Sequence, residues 1–144
     1  MRGNIWAITF AALVLDCSAS FCQTPELLLY GGSDHKTFLG CLNCSSFSSE
    51  SACNEFGQVG SQFASDSIWN QFGHFGSKFS SDSPWNQFSS SGPVIVDKSG
   101  NFYGRVTANQ FISDRTRIDA LNRLTDAVAN GLELDKARDQ FCGR

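Results

Sequence analysis

The stretch Ser65-Asp66-Ser67-Ile68-Trp69-Asn70-Gln71-Phe72-Gly73 recurs sixteen residues later as Ser81-Asp82-Ser83-Pro84-Trp85-Asn86-Gln87-Phe88-Ser89. A more divergent copy, Ser49-Glu50-Ser51-Ala52-Cys53-Asn54-Glu55-Phe56-Gly57, lies sixteen residues before the first. The middle of the chain is therefore a tandem repeat of three units. A single short unit cannot bury its own apolar face, so such repeats favour a solenoid-like stacking.

Each repeat carries signals for a short helical turn. Ser67 and Ser83 stand where a helix N-cap would accept backbone N–H groups, and Pro84 would occupy the first helical position. Glycines at 57, 60, 73 and 76 are expected to bend the chain between these turns. The sequence thus predicts one capped helical turn per repeat, followed by a short strand or loop.

A longer symmetry flanks the repeats. Residues 38–43 match residues 102–107, an offset of sixty-four, and the apolar run 27–30 resembles 94–97. In each case two apolar runs are separated by a polar turn that contains glycine, at 31–36 and at 98–101. This pattern predicts two related β-hairpins.

The C-terminal tail is helical in pattern. Ile118, Leu121, Leu124 or Thr125, and Val128 fall at helical spacing, which predicts an amphipathic helix that docks on the body. Residues 116–119 resemble a capping box, and Gly131 is the expected stop. A shorter helix is expected through 134–141. The fold class is therefore β-rich α+β: a duplicated hairpin flanks three repeats, and amphipathic helices follow.

The beginning of the chain has the pattern of an export signal. Arg2 precedes a mostly apolar run over 5–15, which is shorter than the roughly 20 residues that span a bilayer. We expect a signal peptide over 1–20 with cleavage near 19–22, a body over 23–112 and a helical tail over 113–144. The expected location is secreted or periplasmic, without a transmembrane anchor. The net charge of −3 argues against nucleic acid as a partner.

The segment 38–44, the Ser-Asp-Ser-x-Trp-Asn repeats and the segment 93–97 together resemble a family of small exported bacterial proteins with aromatic, glycine and serine repeats. The resemblance covers most of the chain after the signal peptide. It implies export and a repeat architecture, and it assigns no activity, cofactor or site residue.

Four cysteines remain after the signal region: Cys41, Cys44, Cys53 and Cys142. The first two form a CxxC motif, which is found in redox pairs, zinc sites and structural disulfides. Structural disulfides are favoured for an exported chain. If 41–44 were a strand, three strand steps would hold the two Cα atoms about 10 Å apart, beyond the roughly 7 Å that a disulfide tolerates. We therefore predict Cys44–Cys53 and Cys41–Cys142.

Six phenylalanines alternate spacings of nine and seven: Phe47, Phe56, Phe63, Phe72, Phe79 and Phe88. Stacked repeats would align them into ladders, with Trp69 and Trp85 in equivalent sites. We predict that the phenylalanines form the core, because a long exposed aromatic stripe is unfavourable in water. The alternative is an aromatic face that binds sugar rings, with Trp69 and Trp85 directed at the ligand.

No residue pattern points to catalysis. His35 and His74 have no neighbouring nucleophile or metal-ligand spacing, and each repeat offers one carboxylate, too few for calcium. We expect no catalytic residue, cofactor or metal. The predicted function is a structural or binding role for an exported, non-catalytic repeat protein with a cell-envelope glycan or protein as partner. The alternatives are a glycan-binding module and a thiol-redox or zinc protein that uses the CxxC.

Overall fold

A computed structural model describes residues 23–144. It contains four strands, β1 (Leu28–Gly31), β2 (Thr37–Cys41), β3 (Val94–Val96) and β4 (Phe102–Arg105), and two helices, α1 (Asp119–Ala129) and α2 (Leu134–Cys142). The α+β class predicted from the sequence is confirmed. The predicted signal peptide lies outside the described residues. Along 23–144, no helix combines the length and the apolar character needed to cross a membrane.

The strands form one open antiparallel sheet in the order β2-β1-β3-β4. β1 and β2 make one hairpin, and β3 and β4 make the other, so both predicted hairpins are confirmed. The hairpins meet through their first strands. Leu29 pairs there with Ile95, and neither side chain is exposed to solvent.

The two hairpins connect to the following chain in the same way. The backbone of Cys41 bonds to that of residues 50 and 52, at 2.7 and 2.9 Å. The backbone of Arg105 bonds likewise to residues 114 and 116, both at 2.8 Å. Beside these bonds, Gly40 and Gly104 have φ angles of +122° and +98°, which an L side chain rarely adopts. The contacts thus follow the sixty-four-residue offset seen in the sequence.

The repeat segment between the hairpins runs as successive β-turns. In the second repeat, the N–H groups of residues 64, 67, 70, 73 and 76 each donate to the carbonyl three residues earlier, at 2.9–3.3 Å. The predicted helical turns after Ser67 and Ser83 are therefore wrong. Both hydroxyls do accept the N–H two residues on, but this local bond competes with helix formation and a further turn follows.

One asparagine in each repeat links neighbouring turns. The side-chain oxygens of Asn54, Asn70 and Asn86 accept the N–H two residues later, at 2.9–3.1 Å. Their amide nitrogens donate to the carbonyl six residues earlier, at 3.0 Å in every case. The chain packs so closely here that a side chain on Gly76 would overlap the carbonyl oxygen of Asn70.

The helices follow the predicted pattern except at one end. α1 buries Leu121, Leu124, Thr125 and Val128, and Gly131 follows it with a φ of +108°. The predicted capping box is wrong, because α1 begins at Asp119 with no side-chain cap. The Thr116 hydroxyl instead donates to the carbonyl of Tyr103 at 2.8 Å, which ties that residue to the sheet.

A single buried cluster joins the sheet, the repeats and the helices. Its members share low exposure and apolar side chains: Leu29, Leu39, Ile68, Trp69, Phe75, Trp85, Ile95, Val106, Leu121, Leu124, Val128, Leu134 and Ala137. The helical tail therefore packs on the body through the same core that holds the repeats.

The second hairpin turn contains a strongly hydrogen-bonded carboxylate. The Asn101 side chain donates to Asp97 at 2.8 Å, and the Asn101 and Ser99 N–H groups and the Tyr103 hydroxyl donate at 2.8–2.9 Å. These bonds favour the ionised form and lower the pKa of Asp97 from its usual 3.8 to about 2, the Asn101 side chain having the largest effect.

This carboxylate gives the protein an expected acid sensitivity. Because the pKa is lower in the folded state, the stabilisation is complete above pH 4 and is lost as the pH falls towards 2. We expect the melting temperature to fall over this window, and Asp97→Asn to flatten that part of the profile. Thermal melts at pH 7, 4 and 2.5 measure it. Asp66→Asn, at an exposed position, is the control and should leave the wild-type dependence in place.

Candidate functional site: the exposed phenylalanine array

Seven phenylalanine side chains project into solvent and define what we call the phenylalanine array: Phe47, Phe56, Phe63, Phe72, Phe79, Phe88 and Phe111. Their exposed fractions lie between 83% and 96%. The prediction that the repeating phenylalanines form the core is therefore wrong. Phe111 belongs to the array because it lies sixty-four residues after Phe47 in the duplicated part.

All seven members share one backbone setting. The N–H of each donates to the side-chain oxygen of a serine or asparagine two residues earlier, at 2.9–3.3 Å. Trp69 and Trp85 have the same setting, yet they point inward. The direction of a side chain is therefore decided by which turn of the repeat carries it, because the turns that face the sheet and helices direct their side chains into the core.

The tryptophans are part of the core. Trp69 and Trp85 are 3% and 2% exposed, and their ring centroids lie 5.5 Å apart. Their indole N–H groups donate to the carbonyls of Ala52 and Ile68, at 2.7 and 2.6 Å. Both bonds span seventeen residues, so the predicted equivalence of the two sites is confirmed. The alternative in which Trp69 and Trp85 face a ligand is wrong, since both indoles are enclosed.

The array borders open clefts. One cleft, of about 360 Å³, lies between Phe63 and Phe72 and is also lined by Gln62, Gln71 and the first residues of α2. Glu133 and Asp135 supply exposed carboxylates at its edge. Its neighbour, of about 460 Å³, lies between Phe72 and Phe79 and shares Glu133 and Leu134.

A further cleft near the end of α1 shares several kinds of side chain with the first. It measures about 390 Å³ and is lined by the pairs Gln87-Phe88 and Gln110-Phe111. Asp126 contributes the carboxylate, which accepts a hydrogen bond from Gln110 at 3.4 Å and forms an ion pair with Arg115 at 2.5 Å. Both clefts thus combine two phenylalanine rings, two glutamine amides and at least one carboxylate.

The cysteine pairing differs from the prediction. Cys41 bonds to Cys44 and Cys53 bonds to Cys142, with Cα separations of 5.5 and 5.6 Å. The assumption that failed is a strand through 44, because β2 ends at Cys41. The Asn43 side chain then bonds to Leu27 N–H and Pro25 carbonyl, which replaces the strand ladder with a turn.

The two disulfides close loops of very different length. Cys53–Cys142 spans 89 residues and attaches α2 to the first repeat, whereas Cys41–Cys44 spans three. Restriction of the unfolded chain is worth about 4–5 kcal/mol for a loop of the first size and about 2 kcal/mol for the second. Among residues 23–144 the cysteines of both pairs are thus bonded, and Cys41 and Cys44 lie near Glu26 without free thiolates for zinc.

Neither histidine belongs to a catalytic arrangement. His35 lies in the first hairpin turn, where its Nε2 accepts from Arg105 at 3.1 Å. His74 Nε2 lies 2.6 Å from the Asp82 carboxylate on the surface. In the described part of the chain, neither ring bonds to a serine or cysteine side chain. Each ring is instead held by a charged partner, His35 by Arg105 and His74 by Asp82.

No protein-family model, curated protein or solved structure matches this chain. The features of the array itself therefore carry the functional argument. The glutamine partners were missed at the level of sequence, although Gln-Phe pairs at 62–63, 71–72, 87–88 and 110–111 were visible there. Asn70 is likewise fixed beside the buried Trp69, so a polar neighbour alone does not indicate which aromatic residues lie at the surface.

Proposed function

We propose that the protein is an exported, non-catalytic binding protein whose phenylalanine array is its ligand-binding face, and that the ligand is a cell-envelope glycan. The observation that carries this proposal is the division of aromatic residues. Trp69 and Trp85 are enclosed, whereas the seven array members are 83–96% exposed at the same repeat spacing. A repeat that keeps aromatic rings in solvent supports a binding role.

The exposed aromatic surface is large for a small protein. One phenylalanine ring presents about 150 Å², so seven amount to about 1,000 Å². Neighbouring rings such as Phe63, Phe72 and Phe79 border adjacent clefts, and exposed apolar surface often marks a binding site. Rings distributed along the repeats support an extended ligand.

The polar groups around the rings favour a glycan over a purely apolar partner. Each ring face can stack on the C–H face of a sugar. The amides of Gln62, Gln71, Gln87 and Gln110 both donate and accept, as sugar hydroxyls require. The exposed carboxylates of Glu133 and Asp135 can accept from hydroxyls or amino groups at the first cleft, whereas Asp126 at the further cleft is ion-paired with Arg115. A neutral or amino-bearing polysaccharide fits this combination.

The repeated clefts also suit a polymer. Two clefts that each contain two phenylalanine rings and two glutamine amides lie on one chain, and successive array members border neighbouring clefts. A polymer that occupies several weak sites at once gains avidity without a deep pocket. The contact between the two indoles and the disulfide Cys53–Cys142 hold the turns in place, and both disulfides are compatible with an oxidising compartment.

The test is co-sedimentation of the mature protein with insoluble polysaccharides, using peptidoglycan sacculi, chitin and cellulose as separate probes. We expect binding to at least one. The triple variant Phe63→Ser, Phe72→Ser and Phe79→Ser should weaken it by about tenfold or more, because each aromatic contact contributes roughly 0.5–1.5 kcal/mol. Its melting temperature should stay close to that of the wild type.

The matched control is Phe102→Ser, which changes an exposed phenylalanine in β4 outside the array. This variant should bind like the wild type. If the triple variant also binds like the wild type, the array is not the binding face. If the protein binds envelope proteins and none of the three glycans, the partner is a protein and not a glycan.

A further inference from the structure

The Cys41–Cys44 disulfide lies where a second thiol can reach it. Cys41 is completely buried, whereas Cys44 is partly exposed at the start of the repeat segment. Cys44, the more exposed residue of the pair, is therefore the one that an incoming thiolate can approach. Attack on Cys44 would leave Cys41 as the displaced sulfur.

The duplicated half shows that this disulfide is not needed to form the surrounding backbone. Residues 105 and 108, at the positions of Cys41 and Cys44, are arginine and alanine. The backbone bonds around Arg105 nevertheless match those around Cys41, and Val106 bonds to Pro93 as Leu42 bonds to Leu27, both at 2.8 Å. The backbone bonds between a hairpin and the chain that follows it therefore form with or without a disulfide.

A carboxylate stands beside both sulfurs. The Glu26 carboxylate and the sulfurs of Cys41 and Cys44 all lie within 4.8 Å of one another. Glu26 is 43% exposed and forms an ion pair with Lys98 at 2.6 Å. It can therefore carry a proton between solvent and a sulfur that solvent does not reach directly.

We propose that Cys41–Cys44 is an exchange-active disulfide that accepts two electrons from a dithiol on another exported protein, with Glu26 as the proton carrier. The two sulfurs, the difference in their accessibility and the adjacent carboxylate make up the site. This activity is independent of the glycan-binding proposal, because the site shares no residue with the phenylalanine array.

The exchange balances in two steps. A thiolate of the partner attacks Cys44 Sγ, the Cys41–Cys44 bond breaks, and Cys41 Sγ leaves and takes a proton by way of Glu26. The partner's second thiolate then attacks the partner's first sulfur, which is bonded to Cys44 in the mixed disulfide. Cys44 is released as a thiolate and takes a proton from solvent. The partner dithiol becomes a disulfide, and Cys41 and Cys44 become two thiols.

The protein contains its own control, since Cys53–Cys142 is a second disulfide in the same chain. We would treat the folded mature protein with limiting dithiothreitol, quench with iodoacetamide at intervals and map the alkylated peptides. Cys41 and Cys44 should be released at least tenfold faster than Cys53 and Cys142, with the fold retained by circular dichroism. Release of both pairs together, only on unfolding, would overturn the proposal.

A separate experiment identifies the sulfur that the incoming thiolate attacks. A synthetic peptide with a single thiol should form a mixed disulfide at Cys44, detected by mass spectrometry of the intact and digested protein. A two-cysteine peptide should be oxidised with one equivalent of disulfide consumed. Adducts on Cys41, or no oxidation of the two-cysteine peptide, would contradict the assignment.

Glu26→Gln tests the proton carrier. We expect exchange with the two-cysteine peptide to slow by threefold or more at neutral pH, at an unchanged melting temperature. Glu50→Gln is the matched control, because Glu50 is also an exposed glutamate near Lys98 but lies outside the cluster with the sulfurs. Equal rates for wild type and Glu26→Gln would remove Glu26 from the mechanism.

Discussion

Trp69→Ala is expected to destabilise the protein by about 3–5 kcal/mol, the range typical of large aromatic truncations in a core. The side chain is 3% exposed, and its ring centroid lies 5.5 Å from that of Trp85 and 5.9 Å from that of Phe141. Its loss would also leave the carbonyl of Ala52 without the indole donor. Denaturant titration followed by circular dichroism measures the change.

Phe72→Ala provides the matched comparison within the same repeat. Both residues follow a turn in which a side-chain oxygen binds their N–H, but Phe72 is 90% exposed. Exposed substitutions away from special features usually change stability by no more than about 0.5 kcal/mol. A large loss of unfolding free energy in Phe72→Ala, or a small loss in Trp69→Ala, would mean that Phe72 is buried or that Trp69 is exposed.

Removal of the Cys53–Cys142 disulfide is the second large effect. The double variant Cys53→Ser and Cys142→Ser should lose about 4 kcal/mol, because the bond restricts a long loop of the unfolded chain. α2 should be the first element to lose protection, since the bond holds its last residue to the first repeat. Denaturant titration and hydrogen exchange of the α2 amides measure the two effects.

Cys41→Ser with Cys44→Ser is the corresponding control. This pair closes a short loop, so the expected loss is about 2 kcal/mol or less. Equal losses for the two double variants would mean that loop length does not govern their contributions. Proteins of this size typically have only about 5–15 kcal/mol of stability in total, so the difference between the variants is measurable.

The elements with local signals could be predicted from the sequence. Both hairpins, the buried stripe of α1 and the glycine after it depend on patterns over a few neighbouring residues. The repeat and the sixty-four-residue symmetry were also visible, and the second appears in the structure as matching bonds at Cys41 and Arg105.

Two of the predictions that failed required contacts between distant parts of the chain. Asn43 ends the strand by bonding to Leu27 and Pro25, which altered the disulfide pairing. Thr116 bonds to Tyr103 and is thereby removed from its predicted cap. In both cases a polar side chain satisfied a remote backbone group, a choice that no local pattern reveals.

The sequence by itself determined the repeat period and the hairpins, because each depends on nearby side chains and backbone groups. Only the tertiary structure decided which aromatic rings form the core. Trp69 and Phe72 have the same local hydrogen bond, but one turn faces the sheet and helices and the other faces solvent. Burial depends on what packs against a turn. The helices and the sheet cover the side of the repeats that carries Trp69 and Trp85, and the phenylalanine array remains exposed.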